Sequence, residues 1–557
     1  MALAAQNRIG VLFATFVTLF VLAAGRTLYL GVLHAGALRK AAHTQQITEE
    51  TVPAQRGTIT DRNGVILATS EPAQEISATP YLVTNPLRAA QQLAPLLGRP
   101  QSQLLTELSQ RSGFVYLARQ VPAAQAQAVL ALGIAGIQGT PTERRVYPRG
   151  ALAGQLLGVL GTEGGGLSGL ELSENSILRG HAGERRVVSD ARGQAISVED
   201  VHREQSGAQL TLTLDANIQQ RSEAVLAAVG RVFHPKDATA IVMNPDTGAV
   251  LSMASWPALD RAHPPASSEA YEQELENRAV GFDYEPGSTF KIVTVSGALE
   301  SGVITPSSTF SVPDQIQVAN RTIHDAEEHP EEEMTAGDIL AQSSNVGAIK
   351  IASLLGPEHF NEWVRRYGFG SPTGIDLPSQ ESGVVLKPSE YSGSSMGNLP
   401  IGQGEMVTPI QMAAAYSVIA DGGILRPPHV VQAIDGRAQP APRGRRIISA
   451  QTAAEVRQML RGVLAPGGTA SEVSIPGYQL AGKTGTASKI DPQTGEYSET
   501  AYVASFIGFA PANDPKLLCA VIVDEPQTGS IYGGTVAAPA FGQIMGFALP
   551  YLGIGPE

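Results

Sequence analysis

The chain of 557 residues is long enough for roughly two to four domains with large cores. Its 43% hydrophobic and 16% charged content exclude global disorder, and a formal net charge of −13 argues against a nucleic-acid partner, which needs a basic face. A single cysteine excludes an internal disulfide but leaves the compartment open.

Ile9 to Gly25 is an unbroken apolar run that resumes after Arg26 with Leu28 to Leu33. A membrane-crossing helix needs about 20 such residues, so the run spans if Arg26 snorkels to the far interface. A cleaved signal peptide ending near Ala23-Ala24-Gly25 is the alternative. Arg8 precedes the run, whereas Arg26, Arg39 and Lys40 follow it, so charge alone does not orient it. From Val52 to Ala68 the pattern is strand-like around an Asp61-Arg62-Asn63-Gly64 turn. Residues 84 to 135 alternate Leu/Ala-rich helical stretches with a short strand, Phe114 to Ala118. The glycine-dense stretch Gly161 to Glu171 lacks a Gly-Lys-Ser/Thr ending and is followed by Glu174, so a tight turn or an interface fits it better than a phosphate loop.

Near Gln205-Ser206-Gly207 a second, larger domain begins. Gln209 to Leu214 alternates as a strand, a helix follows from Asn217, and Ala238 to Pro257 reads as a hairpin about Pro245-Asp246-Thr247-Gly248. In Tyr284-Glu285-Pro286-Gly287-Ser288-Thr289-Phe290-Lys291, Pro286 and Gly287 break what precedes. Phe290, Ile292, Val293, Val295, Ala298 and Leu299 then predict a buried helix that ends at Ser301-Gly302. Ser288 is thereby placed at a helix N-terminus, and Lys291, three residues on, falls within hydrogen-bond reach of its hydroxyl. A lysine at that place can lose its proton, as an arginine cannot.

His324-Asp325-Ala326-Glu327-Glu328-His329-Pro330 invites a zinc reading. Pro330 interrupts a helical face and no cysteine is near, so the run is expected to be solvated and metal-free. Thr335 caps a helix through Ala341, Gln342-Ser343-Ser344-Asn345 interrupts it, and Val346 to Leu355 resumes; a serine and an asparagine two apart at such a junction can point into one cleft. Tyr478 to Thr486, containing Lys483-Thr484-Gly485, reads as a strand paired with Tyr502 to Phe509. Gly485 would let another backbone or a substrate lie close against it. Lys516 to Val523 is a buried strand that makes Cys519 an inert thiol.

Each short motif is weak alone. In the order Ser288-x-x-Lys291, Ser343-x-Asn345, Lys483-Thr484-Gly485 they resemble the penicillin-recognising serine acyltransferases. Arg56-Gly57-x-Ile59-x-Asp61-Arg62-Asn63-Gly64, Gly169-Leu170-Glu171, Gly402-Gln403-Gly404 followed by Val407-Thr408-Pro409-x-Gln411, and the single N-terminal span narrow the resemblance to a class B penicillin-binding protein over nearly the whole chain. Ser343 to Gly347 and Met396 ahead of Ile401 look more like the division-type branch than the elongation-type branch. No glycosyltransferase domain precedes residue 206, unlike the bifunctional class A proteins.

The resemblance implies an α+β penicillin-recognising serine transpeptidase fold over residues 206–557, an antiparallel sheet flanked by helices. It also implies an extended N-terminal pedestal or dimerisation-type domain over 34–205, a transmembrane helix over 9–33, and a cytoplasmic tail over 1–8. The catalytic domain would then lie on the outer face of the bacterial cytoplasmic membrane. It implies a D,D-transpeptidase that cross-links peptidoglycan stem peptides through an acyl-enzyme on Ser288, releases D-Ala, and is inhibited by β-lactams. Lys291 would be the base, its pKa lowered by burial and by Lys483. Ser343 would carry the proton to the leaving amine, and Asn345 would hold Lys291 and the substrate amide. Lys483 would meet the substrate carboxylate, with Thr484 and Thr486 as hydrogen-bond donors on the Gly485 strand. The backbone N–H groups of Ser288 and Thr486 would form the oxyanion hole. No metal or organic cofactor is needed. A SEDS-type glycan polymerase and other wall-synthesis proteins are the implied partners. The alternatives are a D,D-carboxypeptidase or β-lactamase of the same fold, or a mainly scaffolding member of a wall-synthesis complex.

Overall fold

The computed structural model describes residues 2–33, 36, 47–189, 195–261, 263–265 and 267–557. Arg39, Lys40 and the expected boundary at residue 34 lie outside the described residues. The chain forms two compact units, each discontinuous: Met1–Gln55, Pro72–Arg144 and Gly180–Gly207 make the first, and Arg56–Glu71, Arg145–Arg179 and Ala208–Glu557 the second.

In the first unit the apolar run is helical over Ala2–Leu28 and continues as a wider turn over Tyr29–Leu33. Its stretch Ile9–Val32 is 24 residues long, apolar enough to cross a membrane, and buried nowhere against protein. The hydroxyls of Thr15, Thr18 and Thr27 bond back to carbonyls four residues earlier, which removes their polar cost in lipid. A three-stranded antiparallel sheet pairs Ile47–Val52 with Gly183–Ser189 and the latter with Ala195–His202. Elsewhere in this unit, helices Pro86–Leu97, Gln101–Leu108 and Ala123–Leu130 enclose a small core with Leu93, Leu104, Leu117 and Val129 at its centre. Asn85 caps the first of these helices and Gly98, in the left-handed region, ends it. The strand expected at Phe114 to Ala118 runs over Val115–Pro122.

The second unit is built on a five-stranded sheet of β1 (Asp237–Met243), β2 (Val250–Trp256), β3 (Ala481–Ile490), β4 (Tyr497–Ala510) and β5 (Leu517–Asp524). The spatial order is β2-β1-β5-β4-β3 with every pair antiparallel, so β3 is an edge. It begins at Ala481, three residues later than expected, because Tyr478 turns away to donate its hydroxyl to Ile554 O at 2.6 Å. The central strand β5 is apolar on both faces, and its alternation separates two cores. Leu518, Ala520 and Ile522 enter one, with α2 (Lys291–Glu300) and α5 (Pro409–Ala420). Leu517, Cys519, Val521 and Val523 enter the other, with α1 (Ala216–Phe233) and α6 (Ala538–Tyr551). Burial pushes the Cys519 thiol far above its ordinary pKa, which keeps it inert. Between these helices in the chain lie α3 (Ala336–Ala341) and α4 (Asn345–Arg366), the latter kinked at Gly356-Pro357.

Away from the sheet, Ile59–Thr60 pairs in parallel with Leu210–Leu212. The Gly161–Glu171 stretch is a tight turn closed by Gly161 N–H to Gly165 O and Gly164 N–H to Gly161 O. Glu171, fully buried, accepts from Arg56 Nε at 2.6 Å and Arg145 Nε at 2.7 Å. Its charge is thus compensated on both oxygens, as burial of a carboxylate demands.

Candidate active site

Four elements of the second unit bring the motif residues together. Gly287–Phe290 forms a 3-10 turn that runs directly into α2, and Ser288 is its second residue, in the first turn where N–H groups have no intrahelical acceptor. The buried Tyr416 of α5 anchors the turn by donating its hydroxyl to Thr289 O at 2.9 Å. Lys291, one turn on, is fully buried.

The second element is the junction of α3 and α4. Thr335 and Asp338 form a reciprocal capping box at the start of α3. Ser344 caps α4 by accepting from Gly347 N–H at 2.9 Å. Ser343, between the two helices, sits in the left-handed region at φ +64°, a conformation that costs a non-glycine residue about 1–2 kcal/mol. That backbone aims its hydroxyl into the cleft.

The third element is the edge strand β3. Lys483 is fully buried, and Gly485 is held tightly: a Cβ there would lie 2.4 Å from Ser505 Oγ and 3.0 Å from Pro286 O. The close neighbours that require a glycine are therefore parts of the protein itself, Ser505 of β4 first and then the turn that carries Ser288. The fourth element is the hairpin Gln315–Val318/Arg321–His324 with the residues after it. Together these line a cleft of about 690 Å³ that contains Ser288, Ser343, Asn345, Thr484 and Thr486.

The polar geometry centres on Ser343. Lys291 Nζ donates to Ser343 O at 2.5 Å and Asn345 Oδ1 at 2.7 Å and lies 3.3 Å from Ser343 Oγ. Lys483 Nζ donates to Ser343 Oγ at 2.8 Å and Thr484 O at 3.2 Å. The Lys291 amine is thus held across the cleft by Ser343 and Asn345, and its hydrogen bonds do not include the one expected to Ser288. Three good acceptors lie on the α3–α4 side, and the amine turns to them.

Burial lowers the Lys291 pKa to about 7, with the Asp325 carboxylate opposing the shift. Burial, then the charge of Lys291, pushes Lys483 well below its ordinary value. Burial is the leading cause for both amines, and the repulsion between them acts in the same direction. Two fully buried ammonium groups facing the half-buried Ser343 hydroxyl disfavour each other's charge.

The expectation of a solvated acidic run fails at Asp325. Its side chain is only 7% exposed and accepts from Ser344 Oγ at 2.7 Å, Val346 N–H at 3.0 Å, the Asn345 N–H, and His329 Nε2 at 3.1 Å. A carboxylate among free N–H groups at the start of α4 is favoured by both hydrogen bonding and the helix dipole. No group of three or more metal-ligating side chains is found among the described residues. Sequence reasoning also missed Thr469, whose hydroxyl pairs with Thr484 Oγ1 at 2.7 Å, and Gly533, whose N–H donates to Thr486 Oγ1 at 3.1 Å. Neither belongs to a recognisable motif, and only the glycines around them hint at turns.

A family model of the penicillin binding protein transpeptidase domain matches residues 238–546, and one of the penicillin-binding protein dimerisation domain matches residues 51–212. The chain is 34% identical to penicillin-binding protein PbpB of Mycobacterium tuberculosis over 96% of its own length and 84% of that protein. It is 32% identical to peptidoglycan D,D-transpeptidase FtsI of Escherichia coli, over 96% and 90%. Among solved structures, penicillin binding protein 3 from Mycobacterium tuberculosis complexed with aztreonam superposes with a TM-score of 0.72 at 31% identity, over 91% of this chain and 98% of that one. With a polar cleft on an antiparallel sheet, two matching domain models and relatives along nearly its whole length, the chain belongs to the penicillin-binding proteins, as a class B member more like the division-type branch than the elongation-type branch.

Proposed function

We infer that the protein is a peptidoglycan D,D-transpeptidase working through a serine acyl-enzyme, with Ser288 as its nucleophile. The observation that carries this reading is the Ser343 hydroxyl held between the buried amines of Lys291 and Lys483 in the cleft that contains Ser288. Neutral Lys291 takes the Ser288 proton as the oxygen attacks the penultimate D-Ala carbonyl. The backbone N–H groups of Ser288 and Thr486 receive the developing oxyanion, each donor worth about 3 kcal/mol. As the C–N bond breaks, the proton passes from Lys291 through Ser343 to the leaving D-Ala amine. A second stem peptide's amine then attacks the ester, loses its proton along the reverse path, and restores the Ser288 hydroxyl. The terminal carboxylate of the donor would sit at Lys483, Thr484 and Thr486. Its negative charge would return to Lys483 the proton that burial disfavours.

The test is the mass of the intact protein after exposure to a β-lactam. A stoichiometric adduct mapped to Ser288 is expected; a folded protein left unmodified there sinks the assignment.

The apolar helix fits a single-pass anchor. In the proposed topology residues 1–8 are cytoplasmic, 9–33 span the membrane, and the pedestal (34–205) and transpeptidase domain (206–557) lie on the outer face. By family analogy, nascent glycan would be delivered by a SEDS-type glycan polymerase, which the span and residues 34–205 would contact. Co-purification from membranes is expected to be lost when residues 9–33 are exchanged for an unrelated span. Undiminished recovery would remove the span from that contact.

A further inference from the structure

Glu285 stands three residues before Ser288 and has no place in the acyl-transfer steps above, yet it is only 7% exposed. Its Oε1 accepts from Gly404 N–H at 2.9 Å and Tyr497 Oη at 3.3 Å. Its Oε2 is buried with no hydrogen-bond partner among the described residues.

These contacts tie together three walls of the cleft. The segments Tyr284–Gly287 and Gly402–Val407 are joined by Tyr284 N–H to Val407 O, Val407 N–H to Tyr284 O, and Gly287 N–H to Gly402 O, each 2.9 Å. They are packed so closely that a Cβ on Gly402, itself at φ +78°, would lie 2.2 Å from Gly287 O. Gln403, within this loop, lines the cleft beside Ser288. Tyr497, the first residue of β4, lines it from the β3–β4 hairpin. One carboxyl group thus touches the loop and the hairpin while covalently part of the nucleophile turn. An anion here would leave Oε2 uncompensated, and burial accordingly raises the Glu285 pKa above the ordinary carboxyl value. A proton on Oε2 leaves Oε1 free to accept both bonds.

We propose that Glu285 is a positioning residue for acylation, its carboxyl fixing the Gln403 loop and Tyr497 against the Ser288 turn so that the acyl donor enters a cleft already shaped. Displacement of reacting groups by about 1 Å costs on the order of 100-fold in rate, which sets the scale of its removal. This rests on Ser288 being the nucleophile, and the wild-type adduct tests that point separately.

The experiment is acylation of the full-length protein by a fluorescent penicillin, resolved into the saturating rate constant and the half-saturating concentration, with thermal unfolding measured alongside. Glu285→Ala is expected to lower the rate constant by roughly 30- to 100-fold with little change in half-saturation. Glu285→Gln, which keeps an acceptor on one side and N–H in place of the acid O–H, is expected to stay within about threefold of wild type. Tyr497→Phe, which removes one of the two bonds, is expected to fall between them and keeps the test open should Glu285→Ala fail to fold. Wild-type adduct formation with unimpaired Glu285→Ala overturns the proposal, as does Glu285→Gln as slow as Glu285→Ala. If Glu285→Ala does not fold, Tyr497→Phe at the wild-type rate overturns it.

Discussion

Replacing Lys291 with arginine is expected to slow acylation of Ser288 by about 10³-fold, within the range that general-base catalysis supplies. The amine can act only when neutral, and burial brings its pKa down to about 7. Wild-type acylation should therefore rise as pH increases through about 7 and level off above it, because the free-base fraction grows and then saturates. Arginine stays protonated at every accessible pH, so the plateau should fall and the limb near 7 should vanish with it. The planar guanidinium must also fit where Ser343 O, Ser343 Oγ and Asn345 Oδ1 converge on a compact ammonium. Stopped-flow acylation from about pH 5 to 9 reads both quantities. An arginine variant within tenfold of wild type, or a wild-type profile flat across that range, would falsify the assignment of Lys291 as base.

Asp325→Ala is expected to produce two changes of different origin. The carboxylate accepts from the N–H groups of Asn345 and Val346 and from Ser344 Oγ, and so fixes the start of α4. Its loss leaves donors unsatisfied at a partly buried helix end, at about 1–3 kcal/mol each. Asn345 and Ser343 should then move off Lys291, with a fall in the acylation plateau of about 100-fold. Asp325 also raises the Lys291 pKa, so its removal lets burial act unopposed, and the acid limb should shift to lower pH. A lower plateau with an unmoved limb would leave Asp325 with a purely structural role. A limb that moves while the plateau holds would make it purely electrostatic, and neither change would refute both parts.

The turn that carries Ser288, the helix that follows it and the placement of the proposed base Lys291 were legible because Ser288 and Lys291 lie within four residues, where helical geometry alone sets their spacing. The same holds for the Thr335 cap, the Ser343–Asn345 junction and the apolar span. Strand β5 was legible as an unbroken apolar run, since a strand buried on both faces needs no polar alternation. The acidic run at 324–333 misled because composition describes the average exposure of a segment. One member, Asp325, is drawn inward by N–H groups twenty residues further along the chain.

What the sequence by itself determined is thus the family, the order of its motifs and the local elements that carry them, features that depend on residues close in the chain. Only the tertiary structure decided that the Lys291 amine rests on Ser343 and Asn345 instead of Ser288, that Asp325 holds α4, and that Glu285 reaches Gly404 and Tyr497. Those contacts join residues 19 to 212 positions apart. At that range the partner of a polar group is chosen by how the sheet and helices pack, and no local periodicity records it.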